Sequence, residues 1–147
     1  MTGISGISEV TDSTYAIAVT VYRPFADTLT ATRDALAAQG FGVLTEIDMQ
    51  ATLKAKLGVD IAPQVILGAC RPPLAHAALQ VEPSIGLLLP CNVVVRAIDG
   101  DRTRVEAIDP DIMVSVTGNP DLQPVATEAR TRLTAALDSL QPSPPTC

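Results

Sequence analysis

The sequence predicts an α+β fold of order β-α-β4-α. Its sheet is expected to be mostly antiparallel, with two main helices packed on one face and two short helical insertions. Three observations predict it. Apolar residues recur at every second position in residues 15–22, 41–48, 91–98 and 102–108, the period of a half-buried strand. Asp99-Gly100-Asp101 joins the last two of these as a hairpin. Two longer segments, after Pro24 and after Asn119, carry an apolar stripe at helical spacing.

Each element has its own justification. In residues 15–22 (YAIAVTVY) the strand face is Tyr15, Ile17, Val19 and Val21. The helix after Pro24 places Phe25, Leu29 and Leu36 on its stripe, holds Asp27, Arg33 and Asp34 away from it, and stops at Gly40. In residues 41–48 (FGVLTEID) the period of two groups Val43, Thr45 and Ile47 against Leu44, Glu46 and Asp48. Met49, Leu53 and Leu57 then line up as a short helix ended by Gly58, the first insertion. Residues 64–69 (QVILGA) form the third strand, and Cys70-Arg71-Pro72-Pro73 breaks it. Both prolines suit the start of the second insertion, residues 74–81. Residues 84–98 are the most hydrophobic stretch. Pro90 cannot donate to a ladder and marks a strand entrance or bulge. Beyond it Cys91, Val93, Val95 and Ala97 oppose Asn92, Val94, Arg96 and Ile98. The return strand, residues 102–108, opposes Thr103, Val105 and Ala107 to Arg104, Glu106 and Ile108, and Asp109-Pro110 closes it. Asn119 is a natural N-cap with Pro120 at the first helical position. The last helix carries the stripe Leu122, Val125, Ala129, Leu133, Ala136, Leu137 and Leu140. One domain is therefore expected over residues 14–140, between a flexible leader, 1–13, and a disordered proline-rich tail, 141–147.

Composition narrows the function classes. A chain of 147 residues with 47% apolar and 18% charged residues is the size and make-up of one globular domain. Aromatics are 3% and Trp is absent, so the core is aliphatic. With 10 basic against 16 acidic residues, the net charge of -6 argues against nucleic acid as a partner, because phosphate contacts need clustered Lys and Arg. The N-terminal residues lack the basic and apolar regions of a secretory signal, and the longest apolar run, 85–95, is interrupted by Pro90 and Asn92. A cytoplasmic location without membrane contact is expected, with Cys70, Cys91 and Cys147 as reduced thiols. No dinucleotide, phosphate-loop, zinc-protease or nucleophile-elbow motif is present, and a single His leaves no base for a hydrolytic triad. No catalytic residue is assigned. From residue 61 to 98 the only charged residues are Arg71, Glu82 and Arg96. Helices covering one face of such a sheet leave an apolar face that a homodimer would hide.

Four stretches together resemble a family known as domain of unknown function 302. They are GFGVLTEID at 40–48 running into KAKLG at 54–58, ILGACRP at 66–72, IGLLLPCNVVV at 85–95 and AIDP at 107–110. Their order and spacing resemble the family's over residues 15–140. The resemblance implies a fold similar to that of the TATA-binding protein, paired as a dimer, and implies no reaction. Arg71-Pro72-Pro73 departs from the family's small or polar residue and single proline at this turn.

The candidate chemistry is thiol chemistry. Cys70 ends one strand beside Arg71 and ahead of a proline-initiated helix, and both a cation and a helix N-terminus favour thiolate. Cys91 opens the next strand, followed by Asn92. If the two strands are neighbours, Cys70, Arg71, Cys91 and Asn92 form a small-ligand site. With His76 a turn further on, Cys70 and Cys91 would suit a soft or borderline metal such as Zn²⁺ or Cu(I). Two alternatives stand beside this: a dithiol–disulfide couple in a redox enzyme or sensor, and a structural or protein-interaction domain in which both cysteines are core filler. Glu46 and Asp48, on one strand face, read as solvated charges, with a hard-cation site, an acid/base pair or a surface ion pair with Lys54 and Lys56 as the alternatives.

Overall fold

The computed structural model describes residues 13–141. The expected leader, apart from Ser13, and the expected tail beyond Gln141, with Cys147, lie outside the described residues. Five strands, β1 (Ala16–Val21), β2 (Gly42–Asp48), β3 (Gln64–Cys70), β4 (Cys91–Ala97) and β5 (Thr103–Ile108), form one sheet in the order β1-β5-β4-β3-β2. Every neighbouring pair is antiparallel. The α+β class and the strand count therefore follow the sequence expectation. The long helices α1 (Phe25–Ala38) and α5 (Gln123–Asp138) pack on each other and on the sheet.

The short helices α2 (Met49–Leu57), α3 (Pro72–Val81) and α4 (Ile112–Thr117) fill the connections. Two match the expected insertions. The third, α4, is an addition: the turn at Asp109-Pro110 runs into a short helix closed by Gly118, which takes a left-handed φ of 70°. Six residues are too few for a legible helical period. Asn119 does cap, its side chain accepting from the Asp121 amide, but it caps a 3₁₀ turn over Pro120–Leu122 that precedes α5.

Period two places side chains as expected in β1, β4 and β5, and β3 follows the same alternation. Val19, Val21, Val65, Leu67, Ala69, Cys91, Val93, Val95, Val105 and Ala107 all face the helices and are buried. β2 is the exception. Val43 pairs with Ala69 and Thr45 with Gly68, so Leu44 is bulged out between them. The bulge flips the face once. Val43 therefore faces the helices while Thr45 and Ile47 lie on the open face, and the expected grouping of the three on one face is corrected.

The buried face of α1 also differs. Thr28, Thr32 and Leu36 are its fully covered residues, and Phe25 and Leu29 are half-buried at its margins. The two threonines are tolerated inside because each hydroxyl donates to a carbonyl of the preceding turn, Thr28 to Pro24 O at 3.1 Å and Thr32 to Thr28 O at 2.7 Å.

The core has two parts. The larger lies between the sheet and α1 and α5, around Leu36, Leu67, Val93, Val95 and Leu133. The smaller sits beyond one end of the sheet, around Ala78, Ile85, Met113, Leu122 and Val125. α5 belongs to both: its first turns supply Val125 and Ala126 to the small cluster, and its later turns supply Leu133, Ala136 and Leu137 to the large one. Among the described residues no helix is long and apolar enough to cross a membrane.

Candidate functional site at the ends of β3 and β4

Ala69 pairs with Cys91 across the ladder of β3 and β4, so Cys70 is the residue just beyond that pair. The pleat gives Ala69 and Cys91 the same, helix-facing side. Cys70 closes its strand where the ladder ends, and it lines the same cavity as Cys91. This cavity, about 30 Å³, lies at the seam of the two core clusters. Phe41, Ala69 and Cys91 of the large cluster line it, as do Ala78, Met113 and Val125 of the small one. Ala129, midway along α5, also lines it; a small side chain there leaves the gap unfilled.

Arg71 completes the wall. Its Nε donates to Gln39 O at 3.3 Å, and its guanidinium lies 3.6 Å from the Glu128 carboxylate on α5. Both partners are on the helix side, which is where alternation past Cys70 directs it. Gly40 takes a φ of 81°, and a Cβ there would meet Arg71 Nε at 3.0 Å. The glycine that stops α1 therefore also leaves room for this arginine.

Cys70 is half-buried and Cys91 is buried. Burial, with the Cys70 thiol nearby as a smaller contribution, pushes the Cys91 thiol up from its ordinary 9.0 to about 11. Desolvation disfavours the charged form, so Cys91 is held as a neutral thiol at physiological pH.

Of the five residues the sequence singles out, three come together: Cys70, Arg71 and Cys91. Two do not. α3 turns Leu74, Ala75 and Ala78 to the cavity and leaves His76 exposed, since two positions from Leu74 is more than half a turn. Among the described residues no three His, Cys, Asp or Glu side chains gather as a metal site, so the expected set Cys70–His76–Cys91 is not assembled. Asn92 follows Cys91 by one residue and so points to the opposite face. It lines shallow grooves there with Val94, Glu106 and Ile108 rather than the thiol cavity. Met113 was not singled out. It lies on the unexpected helix α4, and only its sulfur, three residues beyond Pro110, marks it in the sequence.

The carboxylates have structural partners. Glu46 forms an ion pair with Arg33 of α1, and Asp48 caps α2 by accepting from the Ala51 amide at 2.9 Å. They are committed separately and do not act as a pair.

The class these observations define is a single antiparallel sheet backed by two helices, with a small thiol-lined cavity at the strand ends. The match to the family described as domain of unknown function DUF302 spans residues 17–140, and the chain belongs to that family. It is also similar to an uncharacterized conserved protein, DUF302, from Bacillus stearothermophilus. That crystal structure shares 31% sequence identity with it and superposes with a TM-score of 0.78, over 86% of this chain and 98% of that one. No curated protein sequence matches the chain.

Proposed function

We propose that this chain is a homodimeric binding module without a reaction of its own, holding a soft or borderline metal ion, or a thiophilic ligand of similar size, at Cys70 and Cys91. The observation that carries the reading is the shared cavity: two cysteines from neighbouring strand ends line one small, partly open space that is otherwise apolar apart from Arg71. Its size supports an ion over a metabolite. About 30 Å³ admits one or two water-sized occupants, whereas sites for organic ligands run to hundreds of Å³.

The thiol-redox alternative has less support. Burial makes Cys91 a poor attacking thiol for disulfide exchange, which needs free thiolate, whereas a metal ion displaces the thiol proton itself on binding.

The dimer contact in this reading is the sheet face opposite the helices, with a second copy as its occupant. Half-buried Ile66, Val94 and Ile108 line that face, and Ile47 is 44% exposed at its margin. Arg96 and Arg104 flank Glu106 at 3.4 and 3.7 Å, giving the patch charges of both signs that a twofold axis can match.

The test has two arms. Metal analysis and Zn²⁺ and Cu(I) titrations are run on the reduced full chain and on Cys70→Ser and Cys91→Ser. Bound metal in the parent and its loss in both variants is expected; failure of the parent to take up either ion ends the reading. Sedimentation analysis of the parent and of Val94→Glu should show a dimer and a monomer. A monomeric parent removes the dimer.

A further inference from the structure

We propose that Met113 supplies a third sulfur to this cavity, so that Cys70, Cys91 and Met113 form a three-coordinate site selective for Cu(I) over Zn²⁺. The inference rests on the reading above that Cys70 and Cys91 bind a soft ion. It adds the identity of the ion and a ligand from a different part of the chain.

Met113 is only 4% exposed and belongs to the small core cluster, while Cys91 belongs to the large one. The cavity is where the two clusters meet, and both residues line it together with Cys70. The other lining groups are aliphatic or aromatic, except for the Arg71 guanidinium. Apart from the arginine, the lining side chains that carry a heteroatom are those of Cys70, Cys91 and Met113, and in all three it is sulfur.

Donor type and number then select the ion. Zn²⁺ sites are four-coordinate and draw on Cys, His, Asp and Glu. Among the described residues no three of those types converge, so a tetrahedral zinc set is not available here. Thiolates with a thioether are soft ligands, and soft ligands favour Cu(I). Binding releases one proton from each thiol to solvent and changes no oxidation state. Two thiolates and Cu⁺ leave a single negative charge in an apolar setting, and Arg71 stands at the cavity wall to balance it. Its tie to Gln39 O and Glu128 holds it there.

The seam location also explains why this methionine is available. α4 lies across the end of the sheet, and its approach to the cavity is set by a short connection from β5. The turn is fixed by Asp109, whose carboxylate accepts from the Asp111 amide at 3.0 Å and from Arg130 of α5 at 3.2 Å. Met113 is two residues beyond this tie. Met113 shares the small cluster with Val125 of α5, and both line the cavity, as does Ala129.

The experiment is an anaerobic competition of the reduced full chain against a chromophoric Cu(I) chelator, with X-ray absorption of the copper-loaded protein. Met113→Leu is the central variant, because it conserves volume and keeps the core filled. One Cu(I) per chain is expected, with three sulfur scatterers in the parent and two in Met113→Leu. Affinity should fall roughly tenfold or more in Met113→Leu, and much further in Cys70→Ser or Cys91→Ser. Zn²⁺ should bind more weakly and be indifferent to the Met113 change. If Met113→Leu keeps both the affinity and the sulfur count, the proposal is overturned while the two-cysteine reading stands. If the parent prefers Zn²⁺, the selectivity is overturned. If the parent binds neither ion, both fall together. Circular dichroism of each variant separates loss of a ligand from loss of the fold.

Discussion

The Cys91 thiol gives a stability signature that can be worked from its surroundings. Burial raises it from 9.0 to about 11 in the folded chain, whereas in the unfolded chain the thiol is exposed to water. Between those two values the unfolded state loses its proton and the folded state keeps it. The unfolded state then binds fewer protons, so stability falls as pH rises, and the fall ends once the folded thiol also ionises. Each tenfold difference in proton affinity is worth about 1.4 kcal/mol, so the loss from this one group is about 2 kcal/mol at pH 11 and approaches about 3 kcal/mol only above it. The comparison is parent against Cys91→Ala, with urea unfolding at pH 7, 9, 10 and 11 under reducing, metal-free conditions. Cys91→Ala lowers stability at neutral pH by removing packed atoms at the cavity edge. Its curve should nevertheless lack the extra alkaline decline, so that the parent's advantage shrinks or reverses between pH 9 and 11. Lys and Tyr titrate in the same range but are common to both proteins and cancel. Parallel curves would refute the assignment, because they would mean that the Cys91 thiol ionises as readily when folded as when unfolded.

Two further substitutions test the scaffold that forms the site. A Cβ at position 68 would lie 2.1 Å from Thr45 Oγ1 and 2.8 Å from Pro90 Cγ, so Gly68→Ala should destabilise by about 1–3 kcal/mol in urea unfolding. Adding Thr45→Ala should recover part of that loss, and strict additivity would contradict the clash. Leu133 is fully buried where α5 meets the large cluster, so Leu133→Ala should cost about 2–5 kcal/mol by the same measurement. A loss below about 1 kcal/mol would mean that α5 is not packed as described.

Much of the sheet is legible in the sequence because period two is a strong signal wherever one face is buried. Cys91, Val93 and Val95 alternate with Asn92, Val94 and Arg96 in the sequence, and they alternate in burial in the same way. The Asp99-Gly100-Asp101 turn fixes the neighbouring strand, with Ala97 opposite Thr103. What the sequence leaves hidden is local. The bulge at Leu44 inserts one residue without any Gly or Pro to announce it, and that single residue moves Thr45 and Ile47 to the other face. The period of two then misassigns half the strand.

The site was legible to the same extent and for the same reason. Adjacent positions on neighbouring strands can be read from the order of elements, and that brought Cys70, Arg71 and Cys91 to one place. His76 was expected there on proximity along the chain, but the helix phase decides and turns it out. Met113 is 22 residues from Cys91 on a helix too short to show a period. Its arrival depends on how α4 packs across the sheet end, which no local pattern encodes.

The cavity's place in the fold bears on whether the cysteines are only filler. Larger side chains at 129 or 91 would close an apolar gap of about 30 Å³. The gap instead lies where α5 passes from one cluster to the other, with Ala129 on one side and sulfur on the other. Filler cysteines need no common space and no nearby cation, since a buried thiol packs as a small hydrophobe. Here both thiols border one gap, and the gap includes the half-buried Arg71 tied to two elements of the scaffold. That guanidinium is already paired with Glu128, and an anionic sulfur-bound ion would share it as a countercharge. The shared gap, more than the mere presence of cysteine, is what supports the proposed binding reading over a packed core at this seam.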